Sequence, residues 1–229
     1  MELHSWTNLA ADGSIRVLKY SFGFGKANTL AARLDDGSWL VVSPAIGLPA
    51  SALDALGQDG DVSALVAPNG FHHLGQATWR ARFPKAVSYA PEGALARLAK
   101  KAAAVPFRSL GELTLPARIG RHLPEGMKVP DLLLSVRAGD GAVWFVGDLI
   151  SNTVAGDVKG FPGFMFRLLG GGPGYRFNKV PTMVYLRDKK AWKASVRALF
   201  EQTAPTAVVP AHGDPVTDDA AAKTRAILA

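Results

Sequence analysis

The chain contains no cysteine. Disulfides, thiolate metal sites, iron–sulfur clusters and a cysteine nucleophile are therefore excluded, and any metal must be held by His, Asp, Glu or carbonyl oxygen. No stretch approaches the roughly 18 consecutive apolar residues of a membrane span, so no membrane partner is expected. The opening "MELHSWTNLAADG" lacks the basic-then-apolar order of a secretory signal, which makes the cytoplasm the expected address. Three catalytic signatures are missing as well. No serine sits in G-x-S-x-G, "GFG" at 23–25 lacks the rest of a dinucleotide fingerprint, and "LLGGGPGYRFNK" is not a phosphate-binding P-loop.

What is present is an ordinary globular composition over 229 residues, 48% hydrophobic and 20% charged, enough for one large domain spanning 1–229. The net charge of +7 suits a small-molecule substrate or ligand that is anionic. The basic residues are dispersed, however (Arg80, Arg82, Lys100, Lys101, Arg187, Lys189, Lys190), without the interleaved aromatics of a nucleic-acid groove. A nucleic-acid partner is therefore not expected.

The pattern is mixed. "NTLAARL" and "SWLVVS" flank the turn "DDG" and read as a hairpin. Helix at 50–56, strand in "SALVAP", helix in "QATWRARF", strand in "AVSYAP" and helix in "EGALARLAKKAAA" follow. In the second half "LLLSVR" and "AVWFVG" form another hairpin, and "FPGFMFRLLGGGPGYRF" starts as a helix. Met165 and the Phe residues near it read as core or pocket wall. The Gly-rich stretch that follows reads as a loop or lid carrying Tyr175, Arg176 and Lys179. Trp192, Val196, Leu199 and Phe200 share one face of a long helix, "TAVVPAHG" is a buried strand, and "DDAAAKTRAIL" reads as a capped helix. Hairpins in both halves predict two sheets in one α/β domain.

Three strands end in residues able to bind metal: "ALVAPNGFHH" in His72 and His73, "VWFVGD" in Asp148, and "AVVPAH" in His212. Strand ends are where layered α/β folds gather their ligands. Three His and one Asp make a nitrogen-rich set for one divalent metal, zinc foremost, with Fe or Mn as alternatives. Each residue also has a plain reading. The His pair can share an ion only at a strand-to-helix turn, which Asn69-Gly70 supplies; otherwise they are loop residues. Asp148 serves equally as a turn or helix-cap residue, and His212 as a surface histidine in a Pro–Gly turn.

The order His-His-x-Gly, strand-Gly-Asp, strand-Pro-Ala-His-Gly resembles the metallo-β-lactamase fold, from "NTLAARLDDGSWLVVSP" to "VVPAHGDPV". It is most similar to a branch with "APN-x-x-HH" in place of the full H-x-H-x-D-H loop. The resemblance implies a four-layer αβ/βα sandwich. It places His73 on the last His of the loop and His72 on its Asp. Asp148 falls on the bridging Asp, and His212 on the final His. Pro68 and Gly70 stand where the loop's first two His belong. The middle His falls near Met127, with His122 just upstream. The implied activity is single-metal hydrolysis of an ester, thioester, lactone or phosphoester. The alternative is a degenerate, non-catalytic protein of this fold that binds a small molecule or partner. Asn69, His122 and Tyr175 are the further pocket candidates.

Overall fold

The computed structural model describes residues 1–23, 25–154, 157 and 172–229. Its first half is one seven-stranded sheet in sequential order: β1 (Trp6–Asn8), β2 (Ile15–Phe22), β3 (Gly25–Arg33), β4 (Trp39–Val42), β5 (Val62–Val66), β6 (Val87–Ala90) and β7 (Phe107–Ser109). The first four strands are antiparallel, joined by short connections, whereas β4 to β7 are parallel. Parallel neighbours need crossovers. The helices α1 (Ala50–Gly57), α2 (Gln76–Arg82) and α3 (Glu92–Lys101) supply them.

A second sheet has the order β13-β10-β9-β8, from β8 (Ile119–His122), β9 (Leu133–Ala138), β10 (Gly141–Phe145) and β13 (Ala207–Val209). A two-stranded ribbon, β11 (Ile150–Thr153) with β12 (Gly174–Phe177), lies between them in sequence. The remaining α-helices among the described residues are α4 (Lys179–Tyr185), α5 (Lys189–Gln202) and α6 (Ala220–Leu228).

Burial shows how these parts stack. One apolar cluster joins Val17, Leu30, Leu40 and Val66 of the first sheet to Leu134, Val136, Phe145 and Val209 of the second, so the two sheets face each other. Residues alternating with these point outward. Trp39, Val41 and Leu65 meet Leu53, Leu56 and Trp79 of α1 and α2, while Trp144 and Val208 meet Trp192, Val196 and Phe200 of α5. Helix, sheet, sheet, helix: the result is the four-layer αβ/βα sandwich.

Several sequence expectations are corrected. The stretch "IRVLKYSF" is the long strand β2, and β1, β7, β8, β11, β12 and α4 are further elements that periodicity did not reveal. Their shortness explains this, since three- and four-residue strands carry too few positions to show a period. Tyr175 and Arg176 do not ride on a loop: they are paired with Asn152 and Ser151 in the β11–β12 ribbon, and Lys179 opens α4. The helix expected from Phe161, with Met165, lies outside the described residues. The last helix begins at Ala220, and the residue before it, Asp219, is in left-handed conformation and gives no side-chain cap.

Trp144 is completely buried, with Phe200 edge-on at 6.3 Å. Trp144→Ala is expected to cost about 3–5 kcal/mol, read as a lower midpoint in urea unfolding.

Candidate metal centre

The loop after β5 turns sharply because Asn69 bonds its own chain: its side-chain oxygen accepts from the Phe71 backbone N–H at 2.8 Å. His72 and His73 then follow in the irregular stretch before α2. This loop is pinned from outside. Arg97 donates from Nε to the Gly70 carbonyl at 3.1 Å and lies 4.0 Å over the Phe71 ring, and Phe71 stacks on Tyr185 at 5.6 Å.

Asp148 follows β10 through Gly147, whose φ is +43°. A side chain at 147 would collide with the Asp131 carboxylate, so glycine is required there. His212 follows β13 in a loop held by Asn28, whose side-chain amide donates to the Pro210 and Gly213 carbonyls at 2.8 and 2.6 Å. Across the loop, β11 adds a bond from Asn152 N–H to the His212 carbonyl at 3.1 Å.

These three strand ends converge on one atom. Asp148 Oδ1 lies 2.9 Å from His72 Nε2 and 3.1 Å from His212 Nε2. The other carboxylate oxygen accepts from the Asn69 amide at 2.9 Å and the Tyr185 hydroxyl at 2.8 Å. Each imidazole is fixed at its far nitrogen too: His72 Nδ1 by Ser43 Oγ at 2.8 Å, and His212 Nδ1 by the Lys26 carbonyl at 3.0 Å. Because a carbonyl only accepts, His212 carries its proton on Nδ1, which aims Nε2 at the centre. Ser43 is more permissive, since its hydroxyl can donate to or accept from His72.

Ser43 is also strained. Its φ of +56° is left-handed, a region a non-glycine residue adopts at a cost of about 1–2 kcal/mol. Its N–H donates to the Val66 carbonyl at 2.9 Å, and its carbonyl accepts from Thr29 Oγ1 at 2.7 Å, so the backbone is held from both sides. Such strain is characteristic of residues that aim a functional side chain.

The electrostatics follow from burial and proximity. Burial opposes ionisation of Asp148, but the charges and hydrogen bonds of His72 and His212 outweigh it and hold its pKa well below the usual carboxylate value. Burial likewise opposes protonation of His212, and the bond to Asp148 overrides it and raises its pKa. Asp131 moves the opposite way. It receives the Asp148 N–H at 2.7 Å and the Asn69 amide at 2.9 Å, yet burial, then the negative charge of Asp148, pushes it up to about 8. Tyr185 is raised as well, first by burial and then by Asp148.

Among the described residues, His72, Asp148 and His212 form the group whose ligand atoms all lie within 4.8 Å of one another. His73 is not in it: its Nδ1 is buried without a hydrogen bond, and burial lowers its pKa. Asn69 touches the site through Asp148. His122 instead bonds Ser135 Oγ at 2.9 Å, and the Tyr175 hydroxyl meets Thr224 at 3.1 Å. A cavity of about 150 Å³ opens above His72 and His212, walled by Phe22, Ile46, Phe71 and Leu74, and neither His122 nor Tyr175 lines it. Ser43, Asp131 and Tyr185 were missed from the sequence. Ser43 carries the same signal as the three strand ends, a polar residue closing "WLVVS". Nothing local marks the other two.

Solved structures share this architecture over essentially the full chain. A metallo-β-lactamase from Pontibacter korlensis aligns with TM-score 0.62 and 12% identity, covering 98% of both chains. One from Hirschia baltica aligns with TM-score 0.60 and 12% identity, covering 98% of this chain and 97% of that one. The chain has the metallo-β-lactamase fold. A metal-soaked flavodiiron core from Synechocystis aligns with TM-score 0.63 and 15% identity, covering 97% of this chain and 59% of that one. No family model and no curated protein matches the chain.

Asp131 gives a pH test. Its pKa is higher folded than unfolded, so its contribution to stability is fully present below the ordinary carboxylate range and is lost as pH rises toward about 8. In chelator-treated protein, Asp131→Asn is expected to become progressively more stable relative to wild type between about pH 5 and 8. Urea unfolding reads this slope, and parallel profiles would contradict it. The misplaced amide donors add only a pH-independent offset.

Proposed function

We propose that the chain holds one divalent metal ion between His72, Asp148 and His212 and hydrolyses a small-molecule ester, thioester, lactone or phosphoester. The observation carrying this reading is the meeting of three ligand atoms at a pocket floor, with both imidazoles anchored at Nδ1. Metal-binding histidines have that second anchor almost always. Two nitrogens and a carboxylate accept zinc, Fe or Mn, and three protein ligands leave a position open, as hydrolytic zinc sites do.

When bound, such an ion supplies Lewis acidity and lowers the pKa of water. The chain's own residues do the rest. Asn69 and Tyr185 fix Asp148 through Oδ2, leaving Oδ1 to face the two histidines. Ser43 and Lys26 hold the imidazole planes, so no reorganisation is needed when charge develops.

A second reading, a non-catalytic protein of this fold that binds a small molecule or partner, has its own support. Asp148 is already fully engaged by four hydrogen-bonding partners, and Pro68 and Gly70 occupy the positions where the loop resemblance calls for two histidines. Zinc titration of chelator-stripped protein separates the outcomes. One ion per chain is expected in wild type and His73→Ala, and none in His212→Ala. Absence of uptake in wild type removes the metal site. Uptake without turnover across ester, thioester, lactone and phosphodiester substrates favours the non-catalytic reading.

Ser43 supplies a sharper test. Ser43→Gly is expected to weaken zinc binding on the order of 10–100-fold through loss of the His72 anchor. Folding stability should stay within about 1 kcal/mol of wild type, relief of the left-handed strain offsetting the lost hydrogen bond. Calorimetric zinc titration and thermal melting of the same samples check both halves.

A further inference from the structure

We propose that Arg97 is a positioning residue for the metal centre, holding the loop 69–72 so that Asn69 and His72 meet Asp148. The ion belongs to the proposed function; the positioning rests on contacts of the loop itself.

Helix α3 is seated beside this loop by small residues. Its Ala94 and Leu98 pack with Ala67, just after β5, and with Ala90 at the end of β6. Arg97 stands three residues after Ala94, at the border of that buried face, and is itself exposed. Its side chain fastens the loop twice. The Nε–H donates to the Gly70 carbonyl at 3.1 Å, and the guanidinium lies 4.0 Å over the Phe71 ring. Both contacts fall between Asn69 and His72, the two loop residues that bond Asp148. Phe71 also stacks on Tyr185, whose hydroxyl ends on the same carboxylate.

Gly70 carries the imprint of this fit. A Cβ at 70 would lie 2.7 Å from Arg97 Cδ and 3.4 Å from its Cγ, whereas no positive φ calls for glycine there. Glycine is needed because the arginine lies flush against the backbone, and a side chain at 70 displaces it. Gly70 and Arg97 therefore act as one unit, and each can be tested through the other. Groups that orient metal ligands from behind contribute about 10–100-fold in metal affinity.

Arg97→Ala, Gly70→Ala and the double variant test this. Alanine is the best helix former for position 97 and meets no backbone penalty at 70. In chelator-stripped protein, NMR of the imidazole nitrogens is expected to show the His72 signals displaced in each variant. Those of His212, anchored separately at the Lys26 carbonyl, should move less. Zinc affinity, read by chelator competition, is expected to fall about tenfold in each single variant. The double variant should lose the same tenfold, because without Arg97 the new methyl at 70 has nothing to displace. Cobalt(II)-loaded variants should differ from wild type in visible absorption, which a purely stabilising role would leave unchanged. A His72 signal that moves no more than that of His212, or an unchanged zinc affinity in Arg97→Ala, overturns the inference. Losses that multiply to about a hundredfold in the double variant do so too. Absence of zinc uptake in wild type sinks the metal reading alone, and the His72 signal then decides the positioning.

Discussion

The buried carboxylate of Asp148 is the constraint on which the rest of the site depends. An ionised group 5% exposed is tolerable only when paired and hydrogen-bonded, because its desolvation otherwise costs several kcal/mol. Its four partners come from three separate parts of the chain: Asn69 and His72 after β5, Tyr185 at the end of α4, and His212 after β13. The site is thus also a clasp, tying both sheets and a helix to one side chain. Asp131 secures the backbone of the same residue at the expense of a second carboxylate in the same dry space, and its raised pKa records that conflict.

Backbone geometry is spent where it serves this clasp. Gly147 admits Asp131, and Gly213 at φ +97° lets the His212 loop run against Asn152, where any side chain would strike backbone. Ser43 departs from the rule, adopting the left-handed region with a side chain attached. Its hydroxyl reaches His72, and glycine, the comfortable residue there, could not. Local strain and a dedicated contact coincide at the site, as expected where positioning outweighs stability.

Much of this was legible in the chain before any coordinates. The hairpin "NTLAARLDDGSWLVV", the helix with Trp192, Val196, Leu199 and Phe200 inward, and the strand "AVV" all appear where pattern places them. The rule that polar residues closing buried strands gather at one edge found His72, Asp148 and His212 together. The same rule, applied to "WLVVS", would have added Ser43. It also drew in His73, which shares the loop but not the cluster, its Nδ1 being buried without a hydrogen bond.

The sequence by itself pointed to two sheets in one α/β domain and to the strand ends at His72, Asp148 and His212, since alternating burial and chain reversals are properties of neighbours. Only the tertiary structure decided which donors meet. Asp131 and Tyr185 are 54 residues apart in the chain, by 185 − 131, and both bear on Asp148. No spacing rule links residues whose proximity is set by how a helix lies across a sheet. Charge divides the same way: a net charge of +7 is a sum over residues, whereas only the fold sets Lys19 and Lys26 against Asp157 and Arg97 against the Gly70 carbonyl.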